Sequence, residues 1–262
     1  YREMQDQETI TIDKSNRDVL LTTCLIVRNE SQHLPACINS VRDVADEIIV
    51  CDTGSTDGTP EIARSLGATV ISFPWCDDFS AARNAALDAA SGNWILVLDA
   101  DERLRPESAR AIRDLIASGR AEGYNVAIES ITRGDMTSRF VGNYCRLFAR
   151  HPAVRFEGRV HEQVYPSLRR AGMRVVPSDL VIDHEGYALD PDVMERKKRR
   201  NLTILEREAA DRPGDHFVQF NLGVACFSLS DLGRAEPLLR EAVKPTNEAL
   251  SPEVMAIAHA RL

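Results

Sequence analysis

The 262-residue sequence lacks several features, and each absence excludes a class of protein. It has no apolar run long enough to span a bilayer, which excludes a membrane helix. Residues 1–18 are polar and charged, so they do not form a signal peptide and are interpreted as an N-terminal extension. It also has no surplus of basic residues. The formal net charge of −8 disfavours nonspecific binding to nucleic acid or to anionic membranes.

Closely spaced cysteine pairs are missing as well. The six cysteines form no C-x-x-C pair and no dense framework, which disfavours a disulfide scaffold. Cys24 and Cys51 lie in apolar, strand-like runs, where a small buried thiol is the ordinary interpretation. We therefore expect reduced thiols and a cytoplasmic protein.

Strand and helix signals alternate in the first part of the chain. Apolar runs predict four strands, at Leu20–Val27, Glu47–Cys51, Thr69–Phe73 and Trp94–Leu98. Helical spacing predicts helices at Leu34–Val41, from Thr59 as N-cap and Pro60 as first residue to a stop at Gly67, at Phe79–Ala90, and from Pro106 to about Ser118. This order predicts an α/β fold with a mostly parallel sheet and helices on both faces.

The second part of the chain shows a different pattern of predicted strands and helices. It is first rich in strands, predicted at Tyr124–Ile131, Asn143–Phe148 and Leu180–Ile182, and becomes helical from about Asp190. Residues 217–244 resemble a tetratricopeptide repeat, with small residues at Gly223, Gly233 and Ala235 for close helix packing. We predict a catalytic domain at 19–189 and a helical region at 190–262, and we expect the sequence to stop within a further repeat. One repeat cannot bury its own face, so it packs on the catalytic domain, a partner or a second chain.

Polar residues gather at the predicted carboxyl ends of three strands. The segments are Val27–Glu30, Asp52–Gly58 and Asp99–Glu102. Ligands of open parallel sheets bind at this edge, so we expect the three segments to line one crevice.

Asp99 and Asp101 flank one small residue, Ala100, directly after a buried strand. Two carboxylates so close repel each other unless a cation neutralises them, and their hard oxygen atoms suit Mg²⁺ or Mn²⁺. Such an ion stabilises negative charge on a diphosphate leaving group. A solvated acidic loop is the alternative, but the preceding buried strand favours the metal site.

Several other polar residues have two readings each. Asp52 suits the N3–H of a uracil, or it opens a tight Asx turn, or both. Asn29 and Glu30 suit a base or ribose, or they cap the next helix. Arg83 suits a phosphate, or it forms a surface salt bridge.

Two later positions complete the candidate site. His184 follows a short apolar strand and precedes a glycine turn, which suits a further metal ligand. Glu162 is a candidate general base. A buried, hydrogen-bonded histidine and a surface glutamate are the alternative readings.

Together the three strand-end segments and Asp78–Asn84 resemble family 2 glycosyltransferases of the GT-A fold. The segment Gly158–Glu162, the residues His184, Gly186 and Tyr187, and the tetratricopeptide-like tail resemble one branch of that family. The branch includes the peptide S-glycosyltransferases that modify glycocin bacteriocins. The resemblance extends over residues 20–245.

The resemblance implies an inverting transfer from a UDP-sugar with Mg²⁺ or Mn²⁺, to an acceptor peptide or glycan. Asp52 is then the uracil reader, Asp99 and Asp101 lie at the ribose and the metal, and His184 is a metal ligand. The implied nucleotide-sugar site consists of Val27, Asn29, Glu30, Asp52, Gly54, Ser55, Arg83, Asp99 and Ala100. Catalysis is assigned to Asp101 and Glu162, and the tail holds the acceptor or forms a homodimer.

Other functions remain as alternatives. A sugar nucleotidyltransferase shares the sheet topology and the metal, but its usual glycine-rich loop is missing after the first strand, where the chain reads Arg28-Asn29-Glu30-Ser31. A dehydrogenase is disfavoured because no G-x-G-x-x-G follows that strand. A non-catalytic, peptide-binding tetratricopeptide scaffold is the third alternative, and intact Asp52, Asp99 and Asp101 argue against it.

Overall fold

A computed structural model describes residues 21–132, 137–185 and 191–244. The strands in these ranges are β1 (Leu21–Val27), β2 (Glu47–Asp52), β3 (Thr69–Ser72), β4 (Trp94–Leu98), β5 (Glu102–Leu104), β6 (Gly123–Thr132), β7 (Thr137–Ala149) and β8 (Val175–Glu185). The helices are α1 (Leu34–Val41), α2 (Thr59–Ser65), α3 (Phe79–Ala89), α4 (Pro106–Ala117), α5 (Tyr165–Arg170), α6 (Pro191–Asp211), α7 (His216–Ser228) and α8 (Leu232–Ala242).

The strands form one mixed sheet in the order β3-β2-β1-β4-β7-β6-β8-β5. The half made of β1 to β4 is parallel, as predicted. All five residues of β4 are buried, which explains its unbroken apolar sequence. In the other half, β7 runs antiparallel to both β4 and β6, and β5 runs antiparallel to β8. The α/β fold class is therefore confirmed, with a sheet that changes direction beyond β4.

Several element boundaries differ from their predictions; β7, for example, begins at Thr137 instead of the predicted Asn143. The N-cap of α2 is Gly58, with φ 82°, and Thr59 is the first helical residue, one position earlier than predicted. The last strand, β8, is much longer than the predicted Leu180–Ile182. Pro177, Ser178 and Asp179 break its apolar pattern, but it pairs in parallel with β6 across that segment, with a register shift.

The described residues divide into two compact units. The first contains the sheet and consists of the described parts of Tyr1–Trp75, Ala82–Phe156 and Val164–Gly186. The second contains α6, α7 and α8 and consists of the described parts of Cys76–Ala81, Glu157–Gln163 and Tyr187–Leu262. The domain limits 19–189 and 190–262 stay a prediction.

Helices α7 and α8 pack closely against each other in the second unit. A Cβ atom on Gly223 would lie 2.9 Å from Cγ of Leu239, which is fully buried. Ala235 is also buried in this packing. Gly233 is exposed, and a Cβ atom there would meet no atom within 4 Å, so its predicted packing role is wrong.

We expect Gly223→Ala to lower the midpoint of thermal unfolding by roughly 2–6 °C. The added methyl group overpacks the interface at a cost of about 1–3 kcal/mol, which exceeds the gain of up to about 1 kcal/mol from replacing a helical glycine. Gly233→Ala is the matched control and should leave the midpoint unchanged or raise it. Equal midpoints for the two variants, measured by circular dichroism, would contradict the close packing.

The six cysteines are free thiols, and four of them are buried: Cys24, Cys37, Cys51 and Cys226. No helix in the part of the chain that the structure describes is long and apolar enough to cross a membrane.

Candidate active site

The candidate site lies at the carboxyl edge of the parallel half of the sheet. Strand β1 lies between β2 and β4 and runs parallel to both, so the segments that follow these strands reach the same edge. The first two segments are joined directly: the carbonyl oxygen of Val27 accepts hydrogen bonds from the N–H and the hydroxyl of Thr53, at 2.9 and 3.0 Å. The topology thus brings together the three segments that the sequence predicted.

Asn29 links the segment after β1 to the loop after β2. Its N–H donates to the hydroxyl oxygen of Ser55 at 2.9 Å, and its side-chain oxygen accepts the N–H of Thr56 at 2.8 Å. Its φ of 58° is left-handed, a conformation that asparagine tolerates better than most residues. The alternative reading of Asn29 as a helix cap is wrong, because the N-cap of α1 is His33.

Glu30 is held by its backbone and its side chain. Its N–H donates to the hydroxyl oxygen of Thr59 at 2.8 Å, and its carboxylate lies 2.8 Å from Nδ1 of His33. No side-chain hydrogen bond caps α1, so Glu30 does not cap it either. Both Asn29 and Glu30 serve to fix the loop geometry at this edge.

Asp52 is almost fully buried and opens a tight turn. Its carboxylate accepts the N–H groups of Gly54 and Ser55, each at 3.2 Å. Gly54 has φ 104°, which suits glycine. The Asx-turn reading is therefore observed. A carboxylate has about four lone-pair sites, so these bonds leave room for one more donor.

Asp99 lies between two arginines. Its Oδ1 accepts a hydrogen bond from Arg83 at 2.7 Å, and its Oδ2 accepts one from Arg146 at 3.3 Å. Arg146 also donates to Oε1 of Glu102 at 2.9 Å, and the other oxygen of Glu102 accepts the N–H of Asp99 at 2.8 Å. Glu102 is 2% exposed, so this is a cluster of two carboxylates and two guanidinium groups at the end of β4.

The arginines decide the charge of Asp99. Burial alone opposes the ionised form, but Arg83 and Arg146 outweigh it and hold the pKa of Asp99 well below its usual range. For Glu102 the balance is reversed, because burial raises its pKa against the lowering effect of Arg146. The sequence argument that only a bound cation relieves the Asp99–Asp101 repulsion is thus wrong for Asp99, whose charge the protein itself neutralises.

Arg83 is a buried residue, 8% exposed, on α3. Its guanidinium carbon lies 5.5 Å from the ring centroid of Phe156, a cation–π distance. The reading of Arg83 as a surface salt bridge is therefore wrong. Its charge lies at the carboxyl edge of β4, beside Asp99.

Asp101 and His184 form a second pair. Oδ2 of Asp101 lies 3.3 Å from Nε2 of His184, and both side chains are about one third exposed. The short strand β5, which the sequence patterns did not predict, creates this pair: it pairs with β8 so that Glu102 lies opposite His184, and the N–H of Glu185 donates to the carbonyl of Asp101. The hydrogen bond to Asp101 raises the pKa of His184, which burial opposes.

The Asp101–His184 pair fits a divalent ion in its chemistry. One carboxylate oxygen and one imidazole nitrogen point at each other with enough exposure to admit a metal and its water. In the described ranges no group of three or more His, Cys, Asp or Glu residues forms a candidate metal site. Diphosphate and water oxygens would have to complete the coordination.

The remaining predicted residues have clear positions. Ala100 is buried between the two aspartates, and Val27 is buried at the end of β1. Glu162 belongs to the second unit and is partly exposed there. Gly186 and Tyr187 lie outside the described residues. Arg146 is the site residue that the sequence analysis missed, because nothing in the local pattern of β7 distinguishes it from a solvated arginine.

The chain belongs to glycosyl transferase family 2, whose family model matches residues 22–184. The chain has the GT-A fold, as the resemblance implied. A TPR repeat-containing protein of Synechococcus elongatus is 38% identical over 231 residues, which is 86% of this chain and 56% of that protein. The SPbeta prophage-derived glycosyltransferase SunS of Bacillus subtilis is 32% identical over 203 residues, covering 72% of this chain and 45% of SunS. The chain thus spans about half the length of these curated relatives.

Two solved structures show the same fold at low sequence identity. S. aureus TarS 1-349 in complex with UDP-GlcNAc has a TM-score of 0.57 and 14% identity, with 92% of this chain and 88% of that chain covered. Glucosyl-3-phosphoglycerate synthase of Mycobacterium tuberculosis, in complex with Mn²⁺ and UDP-glucose, has a TM-score of 0.52 and 18% identity, with 71% and 77% covered.

Proposed function

We propose that this glycosyltransferase transfers a sugar from a UDP-sugar, with inversion and with Mg²⁺ or Mn²⁺, to a Cys or Ser side chain of a peptide. The observation that carries the proposal is that the two aspartates after β4, Asp99 and Asp101, have different partners. Asp99 is neutralised by two arginines, whereas Oδ2 of Asp101 faces Nε2 of His184 at 3.3 Å. We therefore assign Asp99 to the nucleotide and Asp101 to the metal.

The donor nucleotide is assigned to the edge formed by β1, β2 and β4. Asp52 accepts the N3–H of uracil with the lone pairs that Gly54 and Ser55 leave, and Asp99 lies at the ribose. Arg83 supplies positive charge for the diphosphate. Two proteins of the same fold, crystallised with UDP-GlcNAc and with UDP-glucose and Mn²⁺, support this donor class.

Asp101 and His184 are the residues that hold the metal. When bound there, the ion supplies positive charge against the diphosphate leaving group. The backbone supports the assignment, since His184 lies in the β5–β8 ladder and the carbonyl of Asp101, just before β5, accepts the N–H of Glu185 at 2.9 Å.

The transfer step is a direct displacement. The acceptor thiol or hydroxyl gives its proton to Glu162 and forms a bond to the anomeric carbon. The bond between that carbon and the diphosphate oxygen breaks, and its electron pair leaves with UDP, whose charge Arg83 helps to stabilise. A thiol needs less help from Glu162 than a hydroxyl does, because thiols ionise more readily.

We expect Asp52→Asn to weaken UDP binding by about tenfold and to reduce the preference for UDP over CDP. The asparagine oxygen still accepts the N–H groups of Gly54 and Ser55, so the turn is kept, but the amide no longer offers a carboxylate to the N3–H of uracil. Its NH₂ group can instead donate to N3 of cytosine.

Isothermal titration of UDP and CDP into wild type and variant in the presence of Mn²⁺ measures both effects. Asp88→Asn, on the exposed part of α3, is the matched control. An unchanged UDP/CDP ratio in Asp52→Asn would reject Asp52 as the uracil reader.

A further inference from the structure

A buried carboxylate outside the candidate site has no role so far. Glu208 lies near the end of α6 in the second unit and is 3% exposed. Its Oε2 accepts the backbone N–H of Arg159 at 3.1 Å, and its Oε1 accepts a hydrogen bond from Arg212 at 3.2 Å. Burial raises the pKa of Glu208, against the lowering effect of these two donors. Burying a carboxylate costs free energy unless it is paired and hydrogen-bonded, so the partners of Glu208 deserve a structural explanation.

Glu208 holds Arg159, a residue that is fixed at three points. The N–H of Arg159 donates to Glu208, its carbonyl accepts the N–H of Phe79 at 2.9 Å, and its guanidinium donates to Asp211 at 2.8 Å. All four residues belong to the second unit. The backbone at Arg159 is therefore tied to α6 and to the start of α3.

Arg159 lies in a short closed loop. Glu157 and Gln163 exchange two backbone hydrogen bonds, each 2.9 Å long, which close the loop around residues 158–162. Gly158 has φ 95° and His161 has φ 58°. A left-handed histidine costs free energy, and such a conformation persists only where the surroundings impose it.

The strained residue immediately precedes the candidate base, Glu162. If His161 relaxed to an ordinary backbone conformation, the chain direction at Glu162 would change, and its carboxylate would point elsewhere. Arg159 is the position where α6 can impose the loop conformation, since Glu208 accepts its backbone N–H.

We propose that Glu208 is a positioning residue that holds the loop Gly158–Glu162 in the conformation needed for Glu162 to accept the acceptor's proton. This rests on the proposed function for the role of Glu162. Through this contact α6 acts on the loop that carries Glu162, within the second unit.

The test compares Glu208→Ala, Glu208→Asp and Glu208→Gln in the full chain. Alanine removes the acceptor for the Arg159 N–H, and aspartate withdraws it by one methylene. Glutamine keeps an acceptor oxygen and serves as the conservative rescue. Asp211→Asn is the matched control, because it weakens the side-chain contact of Arg159 and leaves the backbone contact intact.

Three quantities are measured: amide hydrogen exchange of residues 157–163, the affinity for UDP with Mn²⁺, and the rate of UDP release. UDP-glucose and UDP-N-acetylglucosamine are the donors, and water or a cysteine-containing peptide is the acceptor. We expect Glu208→Ala to speed loop exchange and to slow UDP release, each by about tenfold or more, with UDP affinity within about twofold of wild type. Glutamine and Asp211→Asn should stay within about threefold of wild type.

A double mutant separates positioning from general stability. If Glu208 acts through Glu162, adding Glu208→Asp to Glu162→Ala should slow UDP release no further, to within about twofold. The proposal would be overturned if the two substitutions slowed UDP release multiplicatively in the double mutant. It would also be overturned if the loop of the Glu208→Ala variant exchanged at the wild-type rate. Should the alanine variant not fold, the aspartate variant carries the same comparison. A wild type that binds no UDP would reject the proposed function, whereas the loop exchange would still report on Glu208.

Discussion

Replacing Asp101 with alanine should reduce Mn²⁺-dependent release of UDP from a UDP-sugar by about 10³-fold. Asp101 is the carboxylate that faces His184 at 3.3 Å, and its loss would remove one of the two protein donors of the proposed metal site. Several kilocalories of leaving-group stabilisation depend on that ion, and about 4 kcal/mol corresponds to 10³ in rate. UDP release is measured with Mn²⁺ at several concentrations and with a chelator.

Two further variants make this result specific. His184→Gln should act in the same direction, and its defect should shrink as Mn²⁺ is raised, since the substitution weakens binding of the ion. Asp88→Ala removes another carboxylate of the first unit, which is exposed and paired with Arg155, and should leave the rate unchanged. If Asp101→Ala and Asp88→Ala release UDP at the same rate, Asp101 does not hold a catalytic metal.

Arg146→Met should lower the free energy of unfolding by about 3 kcal/mol, because it leaves the buried carboxylate of Glu102 without its guanidinium partner. For a chain of this size the loss corresponds to a midpoint lowered by roughly 6–12 °C. Arg146 itself is 15% exposed, and Glu102 is 2% exposed, so solvent cannot replace the lost charge. Differential scanning calorimetry measures the effect.

The control is a solvent-exposed ion pair between an arginine and an aspartate. Arg155 and Asp88 are 42% and 63% exposed, so Arg155→Met should cost less than about 1 kcal/mol. A second substitution, Glu102→Gln, should restore part of the stability lost in Arg146→Met, since the amide carries no charge and still accepts the Asp99 N–H. Equal losses for Arg146→Met and Arg155→Met would contradict the buried cluster.

The sequence predicted the parallel half of the fold well, and the reason is physical. Strands β1, β2 and β4 are buried on both faces, so they are continuous apolar runs, and the helices between them carry regular apolar spacing. Their order forces the polar segments at Asn29, Asp52 and Asp99 to one edge. The fold class and the location of the candidate site follow from local patterns alone.

The antiparallel half could not be predicted to the same depth. Strand β5 is three residues long, and its existence depends on pairing with β8, about eighty residues later in the chain. This long-range ladder brings His184 to Asp101. Local sequence patterns could therefore mark the histidine as a candidate ligand but could not predict that it lies next to Asp101. The resemblance to a known family supplied that expectation instead.

Ion pairs between residues far apart in the chain could not be predicted from the sequence either. Arg146 and Glu102 look like ordinary charged residues in the sequence, and only the structure shows that they enclose Asp99. Likewise, Glu208 lies on a helix whose sequence is mostly polar, and its burial becomes visible only when the loop at Arg159 is in place. Both cases depend on contacts between residues far apart in sequence.

We propose that this chain uses a uridine diphosphate donor with a metal held by Asp101 and His184. The most direct measurement is calorimetric titration of UDP into wild type and Asp101→Ala, with Mn²⁺ and with a chelator. We expect wild type to bind UDP with Mn²⁺ at least tenfold more tightly than with the chelator, and Asp101→Ala to lose that difference. UDP binding of equal strength under all four conditions, or no binding by wild type, would contradict the account.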